Sequence, residues 1–65
     1  MSNLKRIREE KNITQSKLSE LSGVNLRTLQ YYEQGYKDIN KAQGITLHAL
    51  AQALECKIED IIETT

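Results

Sequence analysis

Tryptophan, phenylalanine and proline are all missing from this chain of 65 residues, and cysteine occurs once. Each shortage excludes something. Without Trp or Phe, a core must be built from Leu, Ile, Val and Ala, helped by three tyrosines. A chain this short buries only roughly 60% of the surface its unfolded form exposes. One domain over residues 1–65 is therefore expected, with a stability margin of ~3–5 kcal/mol. A lone Cys56 excludes an internal disulfide and a Cys-based metal cage, and it fits a reducing, cytoplasmic setting. No apolar run reaches the length of a signal peptide or membrane span. Strand signals, repeats and low-complexity tracts are also missing. The absence of proline, the three glycines and the regular apolar spacing speak for a folded helical chain.

Net charge is zero, which at first argues against a polyanionic partner. The distribution argues the other way. Residues 1–37 carry seven Lys/Arg and four Glu, a balance of +3, whereas residues 38–65 carry two Lys and five Asp/Glu, a balance of −3. The first half can face a polyanion, and the acids Glu55, Glu59, Asp60 and Glu63 form a solvated face that keeps the other end away from it.

Catalytic and metal chemistry find no footing. His48 has no second His or HExxH motif beside it and is expected at the surface. Cys56 lacks a His–Asn/Asp constellation and is expected to fill a gap between the last two helices. With no acid–base pair, nucleophile set or phosphate loop, the expectation is no enzyme, no cofactor, no metal and no small-molecule ligand.

Five helices are legible. The first covers about residues 3–11, capped by Ser2, with Leu4 and Ile7 on one face, and ends near Asn12. A second covers about 15–21, capped by Thr14, with Ile13 placed as a staple onto Leu18 and Gly23 as its left-handed terminator. The third covers about 25–33, capped by Asn25 and ended near Gly35. After "QGYKDINKAQG", which holds room for a helical turn from Asn40, the fourth covers about 45–54. It places Leu47, Leu50, Ala51 and Leu54 at i, i+3, i+4 and i+7. A short fifth covers about 58–63, with Ile58, Ile61 and Ile62 on one side.

The stretch "LSGVN" at 21–25 is then a tight turn between two short helices, the sequence form of a helix-turn-helix over residues 14–33. Gly23 supplies a backbone that a Cβ would strain, and Val24 points into the shared core. At about 100° per residue, Leu29 and Tyr32 lie at about 300° and 240° from Leu26, which sets the buried direction. Arg27, Gln30 and Tyr31, at about 100°, 40° and 140°, point outward. Guanidinium, amide and phenol are groups that read base edges or hold phosphates, and a borderline Leu26 could meet a thymine methyl.

"TQSKLSELSGVNLRTLQYYEQG" resembles the helix-turn-helix of the phage repressor and Cro class, the XRE-type regulators. The matching features are Gln15 opening the second helix, Leu18 followed by the small Ser19, Gly23-Val24 in the turn, Leu29 and Tyr32 as core positions, and Glu33 with Gly35 at the end. "LKRIREEKNI" and "TLHALAQALECKIEDII" extend the resemblance over nearly the whole chain. It implies an all-α, five-helix, lambda repressor-like domain. It implies a cytoplasmic, bacterial or phage-derived transcription regulator, a repressor by steric occupancy, that binds double-stranded DNA. By resemblance Gln15 holds a phosphate, Leu26, Arg27 and Tyr31 read bases with Gln30 beside them, and Asn25, Thr28, Gln34 and Tyr36 lie near the DNA backbone. Arg8 and Glu33 match a partly buried pair that fixes the third helix on its scaffold. Departures are Ser19 where alanine is commonest, Asn12 where glycine is common, an apolar Leu26, and a longer loop before the fourth helix. Of Ile58, Ile61 and Ile62, one or two must cover the core, and an exposed remainder forms an apolar edge that is the expected contact of a homodimer on an inverted-repeat operator. The alternative function for that edge is a protein-interaction module, antitoxin-like or adaptor.

Overall fold

Ser2 starts the first helix by accepting the Lys5 N–H on its hydroxyl at 3.0 Å. In the computed structural model, which describes residues 2–63, α1 then runs Asn3–Glu10 and turns its Leu4, Ile7 and Arg8 inward. Asn12 ends the turn after α1 in the left-handed region, with φ of 58°. An L-residue pays for that conformation, but Asn pays less than most. Thr14 repeats the capping device by accepting from the Lys17 N–H at 3.0 Å, and α2 runs Gln15–Ser22.

The turn in "LSGVN" is closed by three hydrogen bonds. Gly23, at φ 75°, donates its N–H to the Ser19 carbonyl at 2.9 Å. Val24 N–H donates to the Ser22 hydroxyl at 3.1 Å, and the Ser19 hydroxyl donates to the Val24 carbonyl at 2.6 Å. Ser19 thus does more than fit where alanine is commoner: it ties the far side of the turn to α2. Nothing lies within 4 Å of where a Gly23 Cβ would stand, so the constraint there is backbone conformation and not space.

Asn25 caps α3, Leu26–Gln34, by accepting from the N–H groups of Arg27 and Thr28 at 2.9 and 3.4 Å. Gly35 terminates it at φ 87°. Asn25→Ala should lower stability by ~1 kcal/mol, the usual worth of such a cap, read as a shift in the urea midpoint with unchanged slope. The helical turn expected from Asn40 is a 3-10 turn at Ile39–Lys41, with Asp38 as its cap. α4 follows at Gly44–Leu54 and α5 at Ile58–Ile61.

Leu4, Ile7, Leu18, Leu29, Ile39, Leu50, Ala51, Leu54 and Ile61 form one buried cluster. Ile13, Val24, Tyr32, Leu47, Cys56 and Ile58 pack against it. Every helix contributes, so α2 and α3 cross on a core they share with α1, α4 and α5. No helix among the described residues is long and apolar enough to cross a membrane.

Two expectations need correction. α5 stops at Ile61, before the expected residue 63, because Ile62 is extended and Glu63 is drawn into a clasp. Glu63 N–H donates to Asn40 Oδ1 at 2.7 Å, its side chain accepts from Asn3 N–H at 2.9 Å, and Asn3 Nδ2 donates to the Ile62 carbonyl at 2.9 Å. Ile61 is also withdrawn from the isoleucine edge, as one of the residues that cover the core. Ile61 is fully buried and Ile58 packs on the core, because a four-residue helix at the end of a small domain is needed to close it.

Candidate nucleic-acid interface

α3 has one anchored face and one open face. Leu29 is fully buried, and Glu33, one turn later, is buried beneath it with a side chain only 2% exposed. The opposite side presents Arg27 exposed, with Leu26 at 37% exposure and Gln30 and Tyr31 half-buried. The wheel reading of the outward face therefore holds for Arg27 and is graded for the others. Tyr31 meets the ring of Tyr36 edge-on, centroids 6.0 Å apart at 88°. Sequence reasoning put both tyrosines near a nucleic acid but missed that they brace each other across the Gly35 turn.

The remaining expected backbone-contact residues lie at the ends of the same unit. Asn25 and Gln34 are exposed, Thr28 is half-buried, and Tyr36 is exposed after the helix. Asn25 Oδ1 is already committed to capping, so only its amide is free to donate outward.

Beneath α3 the charge arrangement is specific. The Arg8 guanidinium forks onto the Glu33 carboxylate, Nε to Oε2 at 2.7 Å and Nη2 to Oε1 at 2.9 Å. Its third arm, Nη1, donates to the Ile13 carbonyl at 2.8 Å. The hydrogen bond to Glu33 holds the guanidinium even more firmly protonated than usual, against the opposing effect of burial. One side chain thereby joins α1, the α1–α2 turn and α3. A planar, five-donor fork is suited to this in a way lysine is not.

Gln15 completes the set. Its Nε2 donates to Glu33 Oε1 at 3.0 Å, from the first position of α2. No local sequence signal points to this contact: Gln15 and Glu33 are 18 residues apart, and only the crossing of α2 and α3 brings them together.

Elsewhere the surface offers less chemistry. Burial pushes the Cys56 thiol up, with Asp60 adding to the effect, so it stays protonated and poorly nucleophilic at neutral pH. His48 is exposed on α4. A groove of about 530 Å³ between the end of α2 and α4 is lined by Leu21, Ser22, Ala49, Gln52, Ala53 and Glu55. Among the described residues the exposed large apolar side chains are Leu21, Leu26, Tyr36 and Ile45.

A family model described as helix-turn-helix matches residues 4–61. No curated protein matches the chain.

Proposed function

The chain belongs to the helix-turn-helix family, of the Cro/C1 or XRE type, and from that premise we propose that residues 1–65 are one sequence-specific, DNA-binding repressor domain. The family is one of DNA-binding regulators, so the partner is double-stranded DNA. In our reading α3 enters the major groove, which is about 12 Å wide and matches the ~10–12 Å diameter of a helix with its side chains. The observation that carries this is the two-sidedness of α3: Leu29 and Glu33 buried, Arg27 exposed at the capped N-terminal end. Arg27 forks onto guanine, and Leu26, Gln30 and Tyr31 complete the reading face. Gln15, Asn25, Thr28, Gln34 and Tyr36 meet the backbone. Repression follows by occupancy of the site, in the cytoplasm of a bacterial host.

Two copies are needed for useful specificity. One molecule measures 27 × 23 × 21 Å, less than the ~34 Å of one duplex turn, so it covers a single half-site. We place a homodimer on an inverted repeat. Its interface excludes Ile61, which is buried, and draws on Ile62 and the half-buried Ile58. An interaction-module function at that edge is the weaker reading, because only Ile62 and the flank of Ile58 remain there.

Selection from a randomised duplex library at near-physiological salt tests the proposal. The expected product is an inverted repeat whose half-sites lie one turn apart, bound with a log–log salt slope near −5 for ~6 neutralised phosphates. Folded protein that enriches no sequence would remove the sequence-specific reading. Arg27→Ala should then cost ~1–3 kcal/mol at the selected site and relax one base position. Retained preference at every position in that variant would mean that another face reads the DNA.

A further inference from the structure

Gln15, Glu33 and Arg8 are joined in a way that neither a phosphate contact nor a structural ion pair requires. A primary amide carries two hydrogens on its nitrogen. One of those on Gln15 Nε2 is donated to Glu33 Oε1 at 3.0 Å. That oxygen belongs to a carboxylate 2% exposed, whose position is fixed by the two-pronged guanidinium of Arg8. The amide plane of Gln15 is thus held by a rigid, buried acceptor instead of rotating in solvent. Its second Nε2 hydrogen has no acceptor among the described residues, and Gln15 is the first residue of α2. There the N–H groups of Gln15 and Ser16 are left without intrahelical partners, as in the first turn of any helix.

We infer that Glu33 is a positioning residue for DNA-backbone contact: it orients the Gln15 carboxamide so that its free N–H and the open amides of α2 converge on one phosphate oxygen. The inference rests on the reading of Gln15 as a backbone contact. Arg8 has a second role in it. A carboxylate so close to a phosphate would repel it, and the bidentate guanidinium cancels that charge where little solvent screens it. The same carboxylate also lies one turn beyond Leu29 on α3. Backbone contact by α2 and base contact by α3 are therefore set from a single buried group.

The test separates positioning from fold. Arg8→Met/Glu33→Met removes both charges together, which commonly leaves a fold intact, and it removes the acceptor for Gln15. Affinities are measured for the parent, Gln15→Ala, the Met pair and the triple variant. The probes are the best duplex from the selection and a scrambled duplex of equal length. Gln15→Ala should weaken both duplexes about tenfold, the worth of one hydrogen bond to a charged group. On the scrambled duplex, which reports backbone contact, the Met pair should lose a similar factor, and adding Gln15→Ala to it should cost little more there. Multiplying losses would overturn the positioning role while leaving the phosphate contact standing. Tighter binding by the Met pair would also overturn it, by showing that Glu33 withholds Gln15. No effect of Gln15→Ala in the parent would remove the backbone reading, and the positioning role with it. Should the Met pair fail to fold, the parent alone decides through the NMR signals of the Gln15 side-chain amide. The expected result is two well-separated, slowly exchanging proton resonances, of which one moves when duplex is added. A free, rapidly exchanging pair would overturn the inference.

Discussion

Arg8→Met alone should cost about 3–5 kcal/mol and leave the chain largely unfolded at 25 °C. The magnitude follows from what remains behind. Glu33 keeps a side chain 2% exposed and loses both of its guanidinium bonds, at 2.7 and 2.9 Å, retaining only the Gln15 amide. A buried charge without its partner is among the costliest defects a fold can carry. The Ile13 carbonyl also loses its Nη1 donor, loosening the α1–α2 turn. A loss of ~3–5 kcal/mol equals the whole margin expected for a domain of this size. Arg8→Met/Glu33→Met should recover most of the loss, because two apolar side chains need no partners. Urea melts of the two variants check this. If the single and double variants are equally unstable, the cost lies in lost packing or in the Ile13 contact, and the ion pair is not its source. The comparison also states what the pair does in the native chain: it adds little net stability and instead specifies where α3 sits.

Much of this organisation was legible in the sequence because it is local. Ser2, Thr14 and Asn25 announce their helices by capping within three residues, and Gly23 and Gly35 end theirs by backbone preference alone. The period of Leu50, Ala51 and Leu54 gives the buried face of α4 directly. Arg8 with Glu33 is legible only through the family resemblance, since two residues 25 positions apart carry no local signal. What was missed is what tertiary crossing alone creates. Gln15 meets Glu33 because α2 and α3 cross, and Tyr31 meets Tyr36 because the chain reverses at Gly35. The length of α5 was overestimated for a related reason. Ile62 continues a helical pattern in sequence, but Asn3 and Asn40, distant along the chain, compete for the backbone at 62 and 63 and win. Ile58, Ile61 and Ile62 fall on one side of a short helix, and the sequence alone does not say which of them the core takes. Only the packed structure shows that it takes Ile61.

Leu29→Ala should cost about 2–5 kcal/mol, a range set by how far the neighbours close over the space left. Leu29 has no exposed surface and sits at the centre of the apolar face of α3. Each kcal/mol moves Tm by roughly 4–8 °C in a domain this small, so the variant should melt near or below ambient temperature. DNA should restore it, since a ligand that binds only the folded form at ~100 times its Kd returns ~2.7 kcal/mol. The informative comparison is with Leu50→Ala, equally buried but on α4. Both cavities destabilise the same core, and both variants should refold on the selected duplex. Only the cavity under Leu29 lets α3 shift beneath Arg27. Leu29→Ala should therefore lose part of its preference for the selected duplex over a scrambled one, while Leu50→Ala keeps the parent ratio. Equal ratios in the two variants would show that α3 is held in register without Leu29. The anchoring would then fall to Glu33 and its two partners, Arg8 and Gln15, alone.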